Sequence, residues 1–377
     1  MTHEIDRRRF LKGTAATVGV ALAGSALHSP HAHAQAAARI AVPTVDRLAI
    51  RVVSDSSHDI FITGEAPKNV GVERVRGLPP PRAQKTLSGE WGLALHLESQ
   101  KGSERRNHLL DFGYTPEILN HNIEMLNVDP AKIDGLILSH GHLDHFGGLI
   151  GFLKQHRDKM PADLTLYSGG EDNFCMRHRR TAKPGVYDEW GAVDRRELAA
   201  QRVKTVLAEQ PAVIGGHVFT TGAIPRRSIE KVLPNTMVEL AVRADGLGCN
   251  ASHFTPAELQ GKIVPDEHHH EHATCFNVKG RGLVVISSCG HAGIVNSVLR
   301  AQEVSGISKV HAVMGGFHLG PAPKAYLAQV VAELKKLDID YLIPMHCSGT
   351  NFVNAVAEQM PEKLILSSTG SRFTFGA

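Results

Sequence analysis

Ser139-His140-Gly141-His142-Leu143-Asp144-His145-Phe146-Gly147-Gly148-Leu149 places three histidines and an aspartate within six residues. The apolar residues just before it, Ile133, Leu136, Ile137 and Leu138, predict a buried strand. A strand end is a rigid edge, and the loop beyond it can turn side chains inward. His140 and His142, two residues apart, can grip one metal ion through imidazole nitrogen. Asp144 and His145 fall on the next turn and can grip a second. Imidazole with carboxylate suits zinc and its neighbours in the first transition row. Gly147 and Gly148 let the backbone pass close to the site before a helix begins. The stretch predicts two metal ions and hydrolytic chemistry.

Working outward, short apolar runs alternate with helical patterns. Strand-like runs are expected at 48–53, 93–97, 109–111, 133–139, 164–167, 274–278, 283–287, 310–314, 341–344 and 364–367. Helical periodicity appears at 116–126, 149–159, 195–208, 293–303, 323–336 and 351–359. Strands interleaved with helices in both halves predict an α/β fold. The charged stretch 168–215 is expected to be a helical insertion capping the site, and no second domain is expected.

A chain of 377 residues with 42% hydrophobic residues can bury a large core. Its formal net charge is +3. Residues 1–34 hold four cations against two acids, a net +2, which leaves about +1 for the rest. No basic stripe with interleaved aromatics runs through it, so nucleic acid is not an expected partner. The five cysteines, Cys175, Cys249, Cys275, Cys289 and Cys347, do not suggest a disulfide framework; at least three are expected to be plain buried side chains.

Arg7-Arg8-Arg9-Phe10-Leu11-Lys12 resembles a twin-arginine export signal. The moderately apolar stretch from Ala15 to Leu27 is too short and too weakly apolar for a stable membrane anchor. Ala32-His33-Ala34 fits a small-residue cleavage site. Residues 1–34 are therefore expected to be a signal peptide cleaved after Ala34, with 35–377 delivered to the periplasm by the twin-arginine export machinery. Export in the folded state would let the metal site fill in the cytoplasm.

The HxHxDH run after a strand, followed by Gly-Gly-Leu, resembles the metallo-β-lactamase superfamily. Further landmarks follow in order: Asp111-Phe112-Gly113, Thr221-Gly222-Ala223-Ile224-Pro225-Arg226, Ser288-Cys289-Gly290-His291, Gly315-Gly316-Phe317-His318-Leu319 and Pro344-Met345-His346-Cys347-Ser348-Gly349. This series is similar to the branch that includes dihydropterin-ribofuranosylaminobenzene phosphate synthase-like proteins. The resemblance implies a four-layer αββα sandwich. It also implies two divalent metal ions, zinc first, with manganese or iron as alternatives. The metal ligands it implies are His140, His142, Asp144, His145, His291 and His346. Asp111 would orient ligands from behind. Asp144 would also orient the attacking water, and His318 would protonate the leaving group or stabilise the oxyanion. The superfamily usually has a bridging aspartate near Ser288–His291; this chain has none, which leaves Cys289 or His291 for that place.

Two further clusters stand out. Asp266-Glu267-His268-His269-His270-Glu271-His272 reads first as a solvated loop, although His272 or Glu271 could reach the site. Arg177-His178-Arg179-Arg180 with Arg226-Arg227 reads equally as an anion site or a solvated helix face. The expected function is an exported metal-dependent hydrolase that turns a metal-activated water on an ester, lactone or phosphate-ester bond of a small molecule, neutral or anionic. Two alternatives stand beside it: a dihydropterin or phosphoribosyl synthase-like enzyme, and a non-catalytic periplasmic metal-binding module.

Overall fold

The computed structural model describes residues 39–376 apart from 64–65, 234, 257–258 and 260–262. The expected export signal and the expected cleavage site lie outside the described residues.

Two large sheets face each other. The first has eight strands, in the order Lys204–Leu207, Thr165–Ser168, Gly135–Leu138, Glu104–Leu110, Ala94–Lys101, Arg47–Ser54, Arg372–Gly376 and Val70–Glu73. The second runs Ala212–Ile214, Val218–Thr220, Thr274–Val278, Gly282–Ser287, Val310–Gly316 and Ile339–Met345, with Thr44–Val45 added beside Thr274–Val278. In each sheet the strands that lead toward the histidine loops pair in parallel.

The period-2 alternation of side chains sorts three apolar layers. Ile137 points into the space between the sheets with Ile50, Leu97, Leu110, Phe276, Val284, Ile286, Met314 and Ile343. Its neighbours Leu136 and Leu138 point the other way, against Leu119 and Ile123 of the helix Pro116–Met125 and Leu149, Phe152 and Leu153 of the helix Leu149–His156. On the far side, Leu283, Val285, Val313 and Leu342 meet the helices Ile294–Ser305, Lys324–Lys336 and Gly349–Gln359 through Val298, Val330, Val331 and Phe352. Helix, sheet, sheet, helix is the expected four-layer αββα sandwich.

The segment 168–215 departs from expectation. It holds one α-helix of six residues, Arg195–Ala200, a short 3-10 helix, Glu171–Phe174, and the strands Met176–Arg180, Tyr187–Gly191, Lys204–Leu207 and Ala212–Ile214. Met176–Arg180 and Tyr187–Gly191 pair with each other, and Met237–Glu239 and Val264–Pro265 complete a third, four-stranded sheet. The expected helix 195–208 forms only as far as Ala200, because Lys204–Leu207 pairs with Thr165–Ser168, and Met176–Arg180 finds a second partner in Met237–Glu239, some sixty residues away. The run 364–367 is not a strand; Leu364 makes an isolated bridge to Leu342. Cys175 and Cys249 form a disulfide where none was expected, and the other three cysteines are free and buried. Among the described residues no helix is long and apolar enough to cross a membrane.

Phe152 is fully buried between helix and sheet. Phe152→Ala is expected to cost about 3–5 kcal/mol, read as a lower urea midpoint with the slope unchanged.

Candidate metal centre

The site begins with a buried carboxylate. Asp111 ends a strand of the first sheet with φ +57°, a conformation uncommon for a residue with a side chain. Its Oδ1 accepts from the Ser139 backbone N–H at 2.8 Å, and its Oδ2 accepts from the Ser139 hydroxyl and from His145 Nδ1, each at 2.7 Å. The Ser139 hydroxyl also lies 2.9 Å from His140 Nδ1. With its own proton given to Asp111, it accepts from that nitrogen. Both imidazoles are thereby fixed as Nδ1–H tautomers with Nε2 bare. Gly148 allows this packing, since a Cβ there would sit 2.2 Å from the Phe112 carbonyl oxygen.

The later landmarks converge on the same point. Glu271 accepts from the backbone N–H groups of His291 and Ala292 and so holds the His291 turn. Asp55 accepts from the His346 backbone N–H at 2.8 Å, and His346 Nε2 lies 3.3 Å from Asp144 Oδ2. His346 and His318 have φ near +47°, and His268 is at +49°. With Asp111, four of the side-chain-bearing residues in left-handed conformation therefore gather at one site, where surrounding packing must hold them.

Two ligand sets result. The nitrogens of His140, His142 and His291 lie within 4.8 Å of one another, as do the ligand atoms of Asp144, His145 and His346. All six residues predicted to hold metal are thus brought together. His140 Nε2, His145 Nε2, His291 Nε2, His346 Nε2 and Asp144 Oδ1 are buried without a hydrogen-bond partner. Buried polar atoms are rarely left so, and a cation between them supplies the missing partner. These donors fit divalent metal ions of the zinc type.

Electrostatics agree with a ligand role for His140, His291 and Asp144, whereas His346 holds a proton that a bound cation would displace. Burial, then the neighbouring imidazoles, pushes His140 and His291 well below the usual histidine range, so both stay neutral. Burial alone would raise Asp144, but His145 and His346 outweigh it and hold the carboxylate below its ordinary value. Burial opposes charge on His346, yet Cys347 and Asp144 raise it to about 9.

His318 belongs to neither set; its ring packs 4.2 Å from that of His291, and it lies beside Cys289 and Cys347 and lines the cavity. Cys289 faces two ways: its sulfur belongs with His140 and His145 on one side and with His318 and Cys347 on the other. Where a bridging carboxylate was missing from the sequence, the structure puts this thiol.

The run 266–272 is not a solvated loop. Asp266, His268, His270, Glu271 and His272 are all buried. Neither His272 nor Glu271 reaches the ligand sets, because His272 Nε2 bonds the Leu138 carbonyl and Glu271 is bound to backbone. The residues that do reach inward are His268 and Asp266, whose ligand atoms group with that of His142. The arginine cluster is also not a helix face. Arg177 is fully buried on a strand, with its Nε donating to Asp266 at 2.9 Å. Arg226 pairs with Glu267 and Arg227 with Glu303, whereas Arg179 and Arg180 line the cavity.

That cavity, about 860 Å³, opens over the ligands. Trp91 packs on His346 and Trp190 on His142, each at 4.9 Å between ring centroids. Trp190 comes from the third sheet, which with Asn235 and Thr236 beside it forms one wall. Sequence reasoning missed Trp91, Trp190 and Asp55, each a lone residue whose place is set by distant pairing, and read Asp266 only as part of a solvated run. Asp111→Asn removes the acceptor that orients His145 and is expected to weaken metal binding about 10–100-fold, measured by competition with a chelator.

Residues 103–159 match the metallo-beta-lactamase superfamily profile. The chain is 28% identical to the 7,8-dihydropterin-6-methyl-4-(beta-D-ribofuranosyl)-aminobenzene-5'-phosphate synthase of Methanocaldococcus jannaschii, over 72% of this chain and 85% of that protein. An uncharacterized protein of the same organism is 25% identical over 64% of this chain and 78% of its own length. Among solved structures, one described as a metal-dependent hydrolase of the beta-lactamase superfamily superimposes with a TM-score of 0.60 at 20% identity, covering 86% of this chain and 98% of that one. Sheet order, layer order and these likenesses agree that this chain has the metallo-β-lactamase fold.

Proposed function

We propose that the chain is an exported metal-dependent hydrolase of the metallo-β-lactamase superfamily, acting on an ester, lactone or phosphate-ester bond of a small molecule. The observation that carries this reading is the convergence of five buried ligand atoms without partners next to an open cavity that Asp144 and His346 line. His140, His142 and His291 would hold one divalent ion, and Asp144, His145 and His346 a second. When bound, such ions supply Lewis acidity and bring the pKa of water down to about 7.

The chain's own groups do the rest. Asp144 presents Oδ1 to the floor of the site, where a carboxylate can orient an attacking water and accept its proton. Burial opposes charge on His318, but Cys347 raises it above the ordinary histidine value. It can therefore carry a proton to a leaving oxygen. Trp91 and Trp190 offer flat apolar surface, which favours a substrate with a ring or acyl body. Arg179 and Arg180 at the rim draw in negative charge without fixing it, since both are exposed.

The N-terminal arginine motif supports export, and so does the Cys175–Cys249 disulfide, because such bonds persist in oxidising compartments. A second reading, a synthase on a dihydropterin or phosphoribosyl substrate, is favoured by the 28% likeness to the archaeal synthase. Export weighs against it, since those pools are cytoplasmic.

Wild-type protein from the periplasm is expected to hold about two metal ions per chain, measured by elemental analysis, and to hydrolyse at least one of a set of generic ester, lactone and phosphodiester probes. His142→Ala is expected to lose metal and turnover together. Turnover that persists after complete metal removal would overturn the proposal, and product from a dihydropterin and a phosphoribosyl acceptor, without hydrolysis, would favour the synthase.

A further inference from the structure

Cys289 and Cys347 meet at the cavity wall. Their sulfurs are 3.0 Å apart, and both side chains are buried, at 2% and 4% exposure. Both line the cavity, so a small solute reaches them through the opening that admits substrate. The two residues follow strands that are not neighbours: Gly282–Ser287 and Ile339–Met345 flank Val310–Gly316. For the sulfurs to touch, the end of the middle strand must carry no side chain. Gly316 provides this, because a Cβ there would lie 2.8 Å from Cys347 Sγ and 2.2 Å from the Ser288 carbonyl oxygen. The His318 backbone N–H donates to Cys347 Sγ at 3.2 Å, and His318 Nδ1 is 3.5 Å from Cys289 Sγ. Nothing in hydrolysis requires a second thiol at this place.

A disulfide has its sulfurs about 2.05 Å apart, so closure needs a shift of roughly 1 Å. We propose that Cys289 and Cys347 are a reversible oxidation site for hydroperoxides, and that closure withdraws Cys289 from the metal-binding set. The chemistry takes two steps. One thiolate attacks the peroxide, forming an S–O bond and breaking O–O, and hydroxide or alkoxide leaves. The second sulfur then attacks the sulfenic sulfur, forming S–S and releasing water. Two thiols are oxidised by two electrons, and one hydroperoxide is reduced. An external dithiol reverses the change.

Withdrawal follows from the double contact of Cys289. Open, its sulfur faces His140 and His145 as well as Cys347; closed, it is bonded to Cys347. His291 lies two residues beyond one cysteine and His346 one residue before the other, so closure pulls on both ligand sets. This second half rests on the metal-centre reading above, whereas the oxidation site itself does not.

The test treats the full chain with hydrogen peroxide, then maps peptides by mass spectrometry without reductant. In parallel, cobalt(II) is loaded and the thiolate-to-cobalt charge-transfer absorption recorded. The free-thiol titre is expected to fall from three, Cys275, Cys289 and Cys347, to one, with a Cys289–Cys347 cross-linked peptide that dithiothreitol removes. The charge-transfer band and bound metal are expected to fall with it and to return on reduction. Cys275→Ser should retain the response, while Cys289→Ser and Cys347→Ser should each abolish the cross-link. Oxidation of either cysteine to sulfinic acid with no cross-link overturns the site. A cross-link with metal retention unchanged overturns the withdrawal. Protein that binds no metal even when reduced refutes the hydrolase proposal instead, and the peptide map still decides the oxidation site.

Discussion

A carboxylate buried between two strand ends organises this molecule's chemistry. Asp111 accepts three hydrogen bonds, two from Ser139 and one from His145, and through the Ser139 hydroxyl it also fixes His140. Leaving such a group unpaired in the interior costs several kcal/mol, on the order of the loss from breaking a buried pair. The loop that carries the ligand histidines is therefore bound to close on it, and once closed it leaves His140 and His145 with a bare nitrogen inward, while His142 Nε2 lies 2.8 Å from the Thr236 hydroxyl. The ligand set is then prepared by the protein before any cation arrives, and the unsatisfied nitrogens are the strain that a cation relieves.

The same device recurs around the site with different residues. Glu271 holds the His291 turn by two backbone N–H groups, and Asp55 holds His346 by one. Arg177, fully buried, holds Asp266 behind His142. Each ligand histidine of the later landmarks thus has a buried charged or polar anchor contributed by a different part of the chain. Rigid strands bring the anchors to one edge, and residues in left-handed conformation make the final turns. The cavity above is lined by Trp91, Trp190, Arg179 and Arg180 together with Asn235, Thr236 and other residues.

The His-rich run 266–272 shows how composition misleads. A row of acids and imidazoles looks solvated because those residues rarely pack inside unless paired. Here each buried member has a partner: His268 with Asn235, His270 with Asp172, His272 with Leu138, Glu271 with the His291 turn, Asp266 with Arg177. The partners are separated from the run by twenty to more than a hundred residues, so no window of sequence displays the pairing. The third sheet was hidden for the same reason, since Met176–Arg180 finds its other partner at Met237–Glu239.

Sequence by itself determined the metal motif, the strand before it, the order of the landmarks and the α/β alternation, because these depend on spacing and on apolar periodicity along a short stretch. It also named all six residues that gather into the two ligand sets. Only the tertiary structure decided that His268 and Asp266 point inward, that Cys175 bonds Cys249, that Cys289 stands between the ligands and Cys347, and that Trp91 and Trp190 wall the cavity. Those outcomes depend on which distant strands pair and in what register. That choice is made by the whole core at once, where burying Ile137 on one face and Leu136 on the other leaves a single arrangement of the loops beyond them.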